Sequence, residues 1–242
     1  MKYLLLPLVL SACMSPSDKL TDAPIIVRPI SYNVPAPAKG IVTVAVYGFS
    51  DLTGQRAGST LSAAVTQGAE NYLIDSLKNF SKGKWFRVVE RKGIDNVVRE
   101  RQIVKTSRDS LDKKDDLPPL LYAGIIIEGG IIGYDSNVKS GGDGARVFGV
   151  GTNTKYTTHI VTVSLRTVSV ASSEVLNTII VEKQILSYSE NTTVMKFFDM
   201  DTKTLEIETG ANTNEAPSYA VQRAIAKGVY ELVLDGKKKG LW

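Results

Sequence analysis

Residues 194–208 read Val194-Met195-Lys196-Phe197-Phe198-Asp199-Met200-Asp201-Thr202-Lys203-Thr204-Leu205-Glu206-Ile207-Glu208. Two short runs inside this stretch alternate apolar with charged residues. Met195 and Phe197 flank Lys196, and Leu205 and Ile207 interleave with Glu206 and Glu208. Side chains of an extended chain point alternately to opposite faces, so each run offers one apolar and one charged face. A strand with lipid on one side and water on the other needs that division. An antiparallel sheet that packs on a core and is wetted on its far side alternates in the same way. The period identifies strands and leaves the two environments open.

Outward from this stretch, residues 135–213 lack helical spacing and are rich in Gly, Ser and Thr. They divide into two candidate hairpins, one with arms 135–154 and 155–168 and one with arms 175–198 and 204–213. The arms are long, and a transmembrane strand needs only about 9–11 residues. Two hairpins supply only a few strands, whereas the smallest closed membrane barrels have about eight. Unpaired strand edges cannot be satisfied in lipid. Insertion of these hairpins therefore requires several copies to close one ring.

The flanking sequence interleaves strands with helices. Residues 40–49 (GIVTVAVYGF) and 85–90 (WFRVVE) are β-branched and aromatic runs, and 51–58 (DLTGQRAG) reads as a loop. From Ser62, residues Val65, Ala69, Tyr72, Leu73, Leu77 and Phe80 recur at helical intervals and predict one apolar face. Ile94, Val97, Val98 and Ile103 predict a short amphipathic helix, followed by a charged loop over 105–116 that Pro118-Pro119 ends. Residues 124–134 (GIIIEGGIIGY) read as a core strand interrupted, with a bulge, at Gly129-Gly130. Tyr219, Val221, Ile225, Val229, Leu232 and Val233 predict a closing helix. The interleaving argues a compact α/β or α+β domain that carries the two candidate hairpins.

At the N-terminus, one charge at Lys2 precedes the apolar run 3–10, which is too short to span a bilayer and reads as a signal peptide over 1–12. Leu10-Ser11-Ala12-Cys13 resembles a bacterial lipobox, whose Cys becomes the lipidated N-terminus; the alternative is a small buried thiol after an ordinary signal. The expected modification is diacylglycerol and a fatty acyl chain on Cys13, with no other cofactor. Two or more acyl chains anchor stably. Met14, where an Asp would favour the inner membrane, favours the outer one. Residues 13–39 read as a lipidated arm.

Composition removes most enzyme classes. The chain has 242 residues, 29 Lys+Arg against 25 Asp+Glu, one Cys and one His. One Cys excludes a disulfide framework or a Cys-rich zinc site, and one His excludes a multi-histidine metal centre within a chain. The only tight basic cluster is Lys237-Lys238-Lys239, which argues against a nucleic-acid partner. There is no phosphate loop, and Gly149-Val150-Gly151 lacks the third glycine of a dinucleotide fingerprint. His159 has no second metal ligand and reads as a surface or sheet residue. No catalytic constellation is visible.

Several stretches resemble the CsgG family of curli production assembly/transport proteins. They are Asp51-Leu52-Thr53-Gly54-Gln55, Val88-Val89-Glu90-Arg91-Lys92-Gly93, Glu100-Arg101, the run from Ile131 to Gly142, Gly144-Ala145-Arg146, Ile185-Leu186-Ser187-Tyr188, Thr213-Asn214-Glu215 and the closing Gly240-Leu241-Trp242. The resemblance implies a lipoprotein whose α/β domain lies in the periplasm over 40–134 and 210–242. It implies membrane hairpins over 135–165 and 183–209, joined by a periplasmic strand region over 166–182. Roughly nine subunits would join in one barrel of ~36 strands. On that mapping Met195, Phe197, Leu205 and Ile207 face lipid, and Lys196, Glu206 and Glu208 face the lumen.

The family narrows its channel with the loop between the first strand and first helix, here 55–63 (QRAGSTLSA). The implied constriction residues are Arg56, Ser59, Thr60 and Leu61. Relatives place Tyr, Asn and Phe there. This loop is about three residues shorter, lacks the Tyr, and aligns Thr60 with the Asn and Leu61 with the Phe. A plain connector with Ser59 or Thr60 capping the helix is the other reading. The resemblance implies ATP-independent export of unfolded curli subunits through an outer-membrane homo-oligomer, assisted by accessory factors in the periplasm and at the outer surface. The competing reading is a lipoprotein adaptor that uses the same domain to regulate an envelope enzyme.

Overall fold

The computed structural model describes residues 32–53, 63–109, 117–140, 155–190, 194–199, 207–210 and 215–242. In chain order the elements are β1 (Val42–Asp51), α1 (Ala63–Asn79), β2 (Phe86–Val89), α2 (Ile94–Asp109), β3 (Ile125–Ser140), β4 (Lys155–Ser169), β5 (Val175–Glu190), β6 (Val194–Asp199), β7 (Ile207–Gly210) and α3 (Glu215–Lys238). The fold is mixed α+β, with one seven-stranded sheet in the order β2-β1-β3-β4-β5-β6-β7. Its β2-β1-β3 end is parallel, and every later pair is antiparallel.

The core lies between the sheet and helices α1 and α3. Ala69, Leu73 and Leu77 repeat every four residues along α1 and are fully buried. Along α3, Val221, Ile225, Val229, Leu232 and Val233 do the same, so both stripes predicted from spacing are the faces that pack. α1 stops at Asn79, and Ser81, Lys82 and Gly83 follow with positive φ. Ser81 is held there because its Oγ donates to the Val34 carbonyl at 2.6 Å and accepts the Val34 N–H at 3.2 Å. That exchange also ties the segment before β1 to the core.

The C-terminus closes the molecule. The Trp242 indole meets Trp85 and Phe86 edge-on, with centroids 6.4 Å and 6.2 Å away. Its Nε1 donates to the Val233 carbonyl at 3.0 Å. Gly236 leaves room for that ring: the space a Cβ would occupy is already filled by the indole.

Three local expectations change. First, α2 continues to Asp109 and takes in residues 105–109, expected as loop; no α2 residue is buried, so its apolar stripe is not a core face. Second, β3 runs unbroken through Gly129-Gly130. The register slips between Ile131 and Gly133 against β4, and against β1 an extra β1 residue falls between Val46 and Phe49, opposite Ile127 to Gly129, so the expected irregularity lies on the partner strand beside Gly129. The glycines serve close approach, because a Cβ on Gly129 would sit 2.6 Å from Leu165 Cδ2 and 2.7 Å from the Ser164 carbonyl. Third, the run 175–198 is not one arm: β5 and β6 pair antiparallel, from Ile185↔Asp199 to Glu190↔Val194.

Candidate functional site

The first expected hairpin is present as the β3–β4 ladder, whose register runs from Ile125↔Ser169 to Ser140↔Lys155 without a gap in the pairing at position 134/135. β1 accompanies β3 only as far as Asp51↔Ile131. Beyond Ile131 the β3 edge that faced β1 has no strand beside it among the described residues, while β4 and β5 continue alongside on the other side. The sheet thus has two tiers. The lower tier carries α1 and α3, and the upper tier is a strand array with an open edge on β3 and another on β7.

β1 delivers the candidate constriction loop to the junction of the tiers. The Leu52 N–H donates to the Ile131 carbonyl at 2.8 Å. Asp51 Oδ1 then accepts both the Thr53 N–H at 3.0 Å and the Thr53 hydroxyl at 2.7 Å. This Asx turn fixes the direction in which the chain leaves the sheet, and it explains the Asp51-Leu52-Thr53 part of the motif. Arg56, Ser59, Thr60 and Leu61 lie outside the described residues, as does Cys13.

The upper tier holds the alternating segments. Directly opposed residues of an antiparallel ladder share a face. The register pairs Ser187 with Phe197 and Phe197 with Glu208, and it pairs Leu186 with Phe198 and Phe198 with Ile207. The side chains of Met195, Lys196, Phe197, Ile207 and Glu208 lie outside what is described. Leu205 and Glu206 lie outside the described residues.

Between the tiers is a buried polar cluster that composition did not reveal. Tyr134 on β3 places its hydroxyl 2.9 Å from His159 Nδ1 on β4. His159 Nε2 lies 3.2 Å from Ser187 Oγ on β5, and that hydroxyl donates to the Thr157 carbonyl at 3.2 Å. Each ring nitrogen of His159 therefore faces a hydroxyl, Nδ1 that of Tyr134 and Nε2 that of Ser187, and a hydroxyl can serve either tautomer as donor or acceptor. His159 is thus a sheet residue, as read, but a buried one, 6% exposed. Lys183, two positions before Ile185 on the same face of β5, is buried as well.

Other motif residues have structural roles in the lower tier. Glu90 Oε1 accepts the Gly93 N–H at 2.7 Å at the entry to α2, and Lys92 pairs with the buried Glu70 at 2.9 Å. Arg91 and Arg101 donate to the carbonyls of Leu121 and Pro118, at 2.8 Å and 2.6 Å. These bonds hold the segment that returns from α2 to β3. No helix among the described residues is long and apolar enough to cross a membrane.

A sequence model of the curli production assembly/transport component CsgG matches residues 29–242. The protein of that name from Salmonella typhimurium (strain LT2) is 38% identical over 247 residues, covering 97% of this chain and 87% of its own length. The Escherichia coli (strain K12) protein has the same identity and coverage. Among solved structures, the hypothetical protein CT253 from Chlamydia trachomatis aligns over 79% of this chain and 95% of its own, with a TM-score of 0.43 at 10% identity. These relatives are named as transport and assembly components rather than as enzymes. The chain belongs to the CsgG family of curli production assembly/transport components.

Proposed function

We propose that this chain is the subunit of an ATP-independent outer-membrane channel that exports unfolded curli subunits. The observation that carries the reading is the upper tier, in which β3 and β4 continue beyond the end of β1 and, among the described residues, leave open edges on β3 and β7. In water such edges invite aggregation, and in lipid they are not tolerated. Copies set side by side would pair them, so a ring resolves a problem that the monomer poses. Family membership supports the same reading.

In this account Cys13 carries the acyl chains, and residues 40–134 and 210–242 form the periplasmic domain. Segments 135–165 and 183–209 enter the outer membrane, and 166–182 stays in the periplasm. Roughly nine copies close the barrel. Met195 and Phe197 face lipid and Lys196 faces the lumen. Arg56, Ser59, Thr60 and Leu61 line a constriction hung from the Asp51–Thr53 turn at the junction of the tiers. An unfolded polar chain needs only water, weak contacts and exclusion of folded cargo. Thr60 offers hydrogen bonds without charge and Leu61 one apolar contact per subunit. Direction comes from accessory proteins on either side.

Release of unfolded curli subunit from sealed proteoliposomes tests this reading. With the purified protein inserted, subunit should escape without nucleotide, while a folded protein of equal mass stays inside. Retention of the subunit by vesicles shown to hold the assembled protein would overturn it, and so would release that depends on ATP.

A further inference from the structure

β2 is an outer strand of the sheet, paired with β1 on one side and with no described strand on the other. Such an edge turns alternate N–H and C=O groups outward, a template for one more strand. Beside it runs a groove of about 540 Å³ whose lining includes the apolar Ile41, Ile74 and Val88, the cationic Lys78, Arg87 and Arg91, and one carboxylate, Glu90.

The charge around it is one-sided. Between positions 78 and 92 the chain carries Lys78, Lys82, Lys84, Arg87, Arg91 and Lys92 against the single carboxylate Glu90. Lys92 is paired with Glu70. Arg91 is engaged by the Glu90 and Leu121 carbonyls, and the Glu90 carboxylate accepts the Gly93 N–H. Lys78 and Arg87 have no carboxylate partner among the described residues.

We infer that β2 is a docking edge for an extended acidic segment of a partner protein, which adds to the sheet as a further strand. Main-chain bonds to β2 supply affinity, and alternate side chains supply selectivity. Apolar residues of the added strand settle on the Val88 face beside Ile74, and the carboxylates on its other face meet Arg87, with Lys78 adding attraction at longer range. β2 has four residues, so the paired length is ~13 Å and the binding modest and salt-sensitive. The inference is independent of the secretion reading, because it concerns the lower tier alone.

The test uses the full-length protein in detergent and a labelled synthetic peptide of alternating Val and Glu, read by fluorescence anisotropy and by amide hydrogen exchange. The peptide should bind and slow exchange at residues 86–89. Lys78→Glu with Arg87→Glu should weaken it by about tenfold or more, while Lys78→Arg with Arg87→Lys, which keeps the charges, should retain it. A peptide with Lys in place of Glu should not bind, nor should one N-methylated at alternate amides. Absence of binding would overturn the proposal. So would equal binding of the Lys peptide, or protection elsewhere in the sheet. Retained binding of the N-methylated peptide, or equal protection by an anionic polysaccharide, would show electrostatic attraction without strand addition and would overturn it equally.

Discussion

Replacing Tyr134 with Phe tests the account of the junction between the tiers. The substitution keeps the ring and removes one oxygen. His159 Nδ1 then loses the hydroxyl 2.9 Å away, in a site where the histidine is only 6% exposed. An unpartnered buried donor or acceptor costs ~1–3 kcal/mol, so Tyr134→Phe should destabilise the fold by about 2 kcal/mol. Ser187→Ala should cost a similar ~1–3 kcal/mol, because it removes the hydroxyl beside the buried His159 Nε2. Tyr134→Phe made in a His159→Leu background should cost much less, since the orphaned nitrogen is gone; a coupling of ~0.5–3 kcal/mol is expected for groups in one network. Urea unfolding followed by tryptophan fluorescence is a suitable assay, because the chain has two tryptophans and both are buried against one another. A Tyr134→Phe protein within about 0.5 kcal/mol of the parent would refute the reasoning, as would strict additivity with His159→Leu.

Trp242→Ala should cost ~3–5 kcal/mol by emptying the space between Gly236, Trp85 and Phe86, read in the same unfolding assay; a loss below about 1 kcal/mol would remove the closing role of the C-terminus. Thr60→Phe combined with Leu61→Phe should lower single-channel conductance while the assembly keeps its size, and unchanged conductance would put the constriction elsewhere. Phe197→Arg should impair insertion, with a charge on the lipid face costing ~2–4 kcal/mol near the midplane; normal yield of membrane-inserted protein would invert the assignment of that face. Cys13→Ser should abolish acylation, seen as a loss of lipid mass, and mislocalise the protein; outer-membrane recovery unchanged from the parent would contradict the anchor.

Helices α1 and α3 were legible because their apolar residues recur at the helical interval and because a packed core lies under that stripe: Leu73 and Leu77 in one, Ile225 and Val229 in the other. The same period in α2 covers nothing. Ile103 is 51% exposed, and spacing alone does not say whether a stripe finds a partner. The hairpin character of 135–168 was legible from alternation, and the β3–β4 ladder realises it. The division of 175–198 into β5 and β6 was not, since alternation continues through both and only pairing with a neighbour distinguishes one long arm from two short ones. His159 acquires its partners from strands 25 and 28 residues away in sequence, with no local signal. Gly129 does not break β3; the small residue admits Leu165 and Phe49, and the bulge beside it is on β1. The Asp51–Thr53 turn was present in the quoted motif, but its role emerged only when Leu52 was seen bonded to Ile131.

The central claim is that copies of this chain close a pore through their upper tiers. Single-channel conductance of the purified lipidated protein in a planar bilayer, on a preparation first sized in detergent, tests it most directly. The account predicts a ring-sized particle and large, stable conductance steps that do not depend on voltage. A monomer-sized particle and a silent bilayer would contradict it and would make β3 through β7 an ordinary solvated sheet on a periplasmic adaptor.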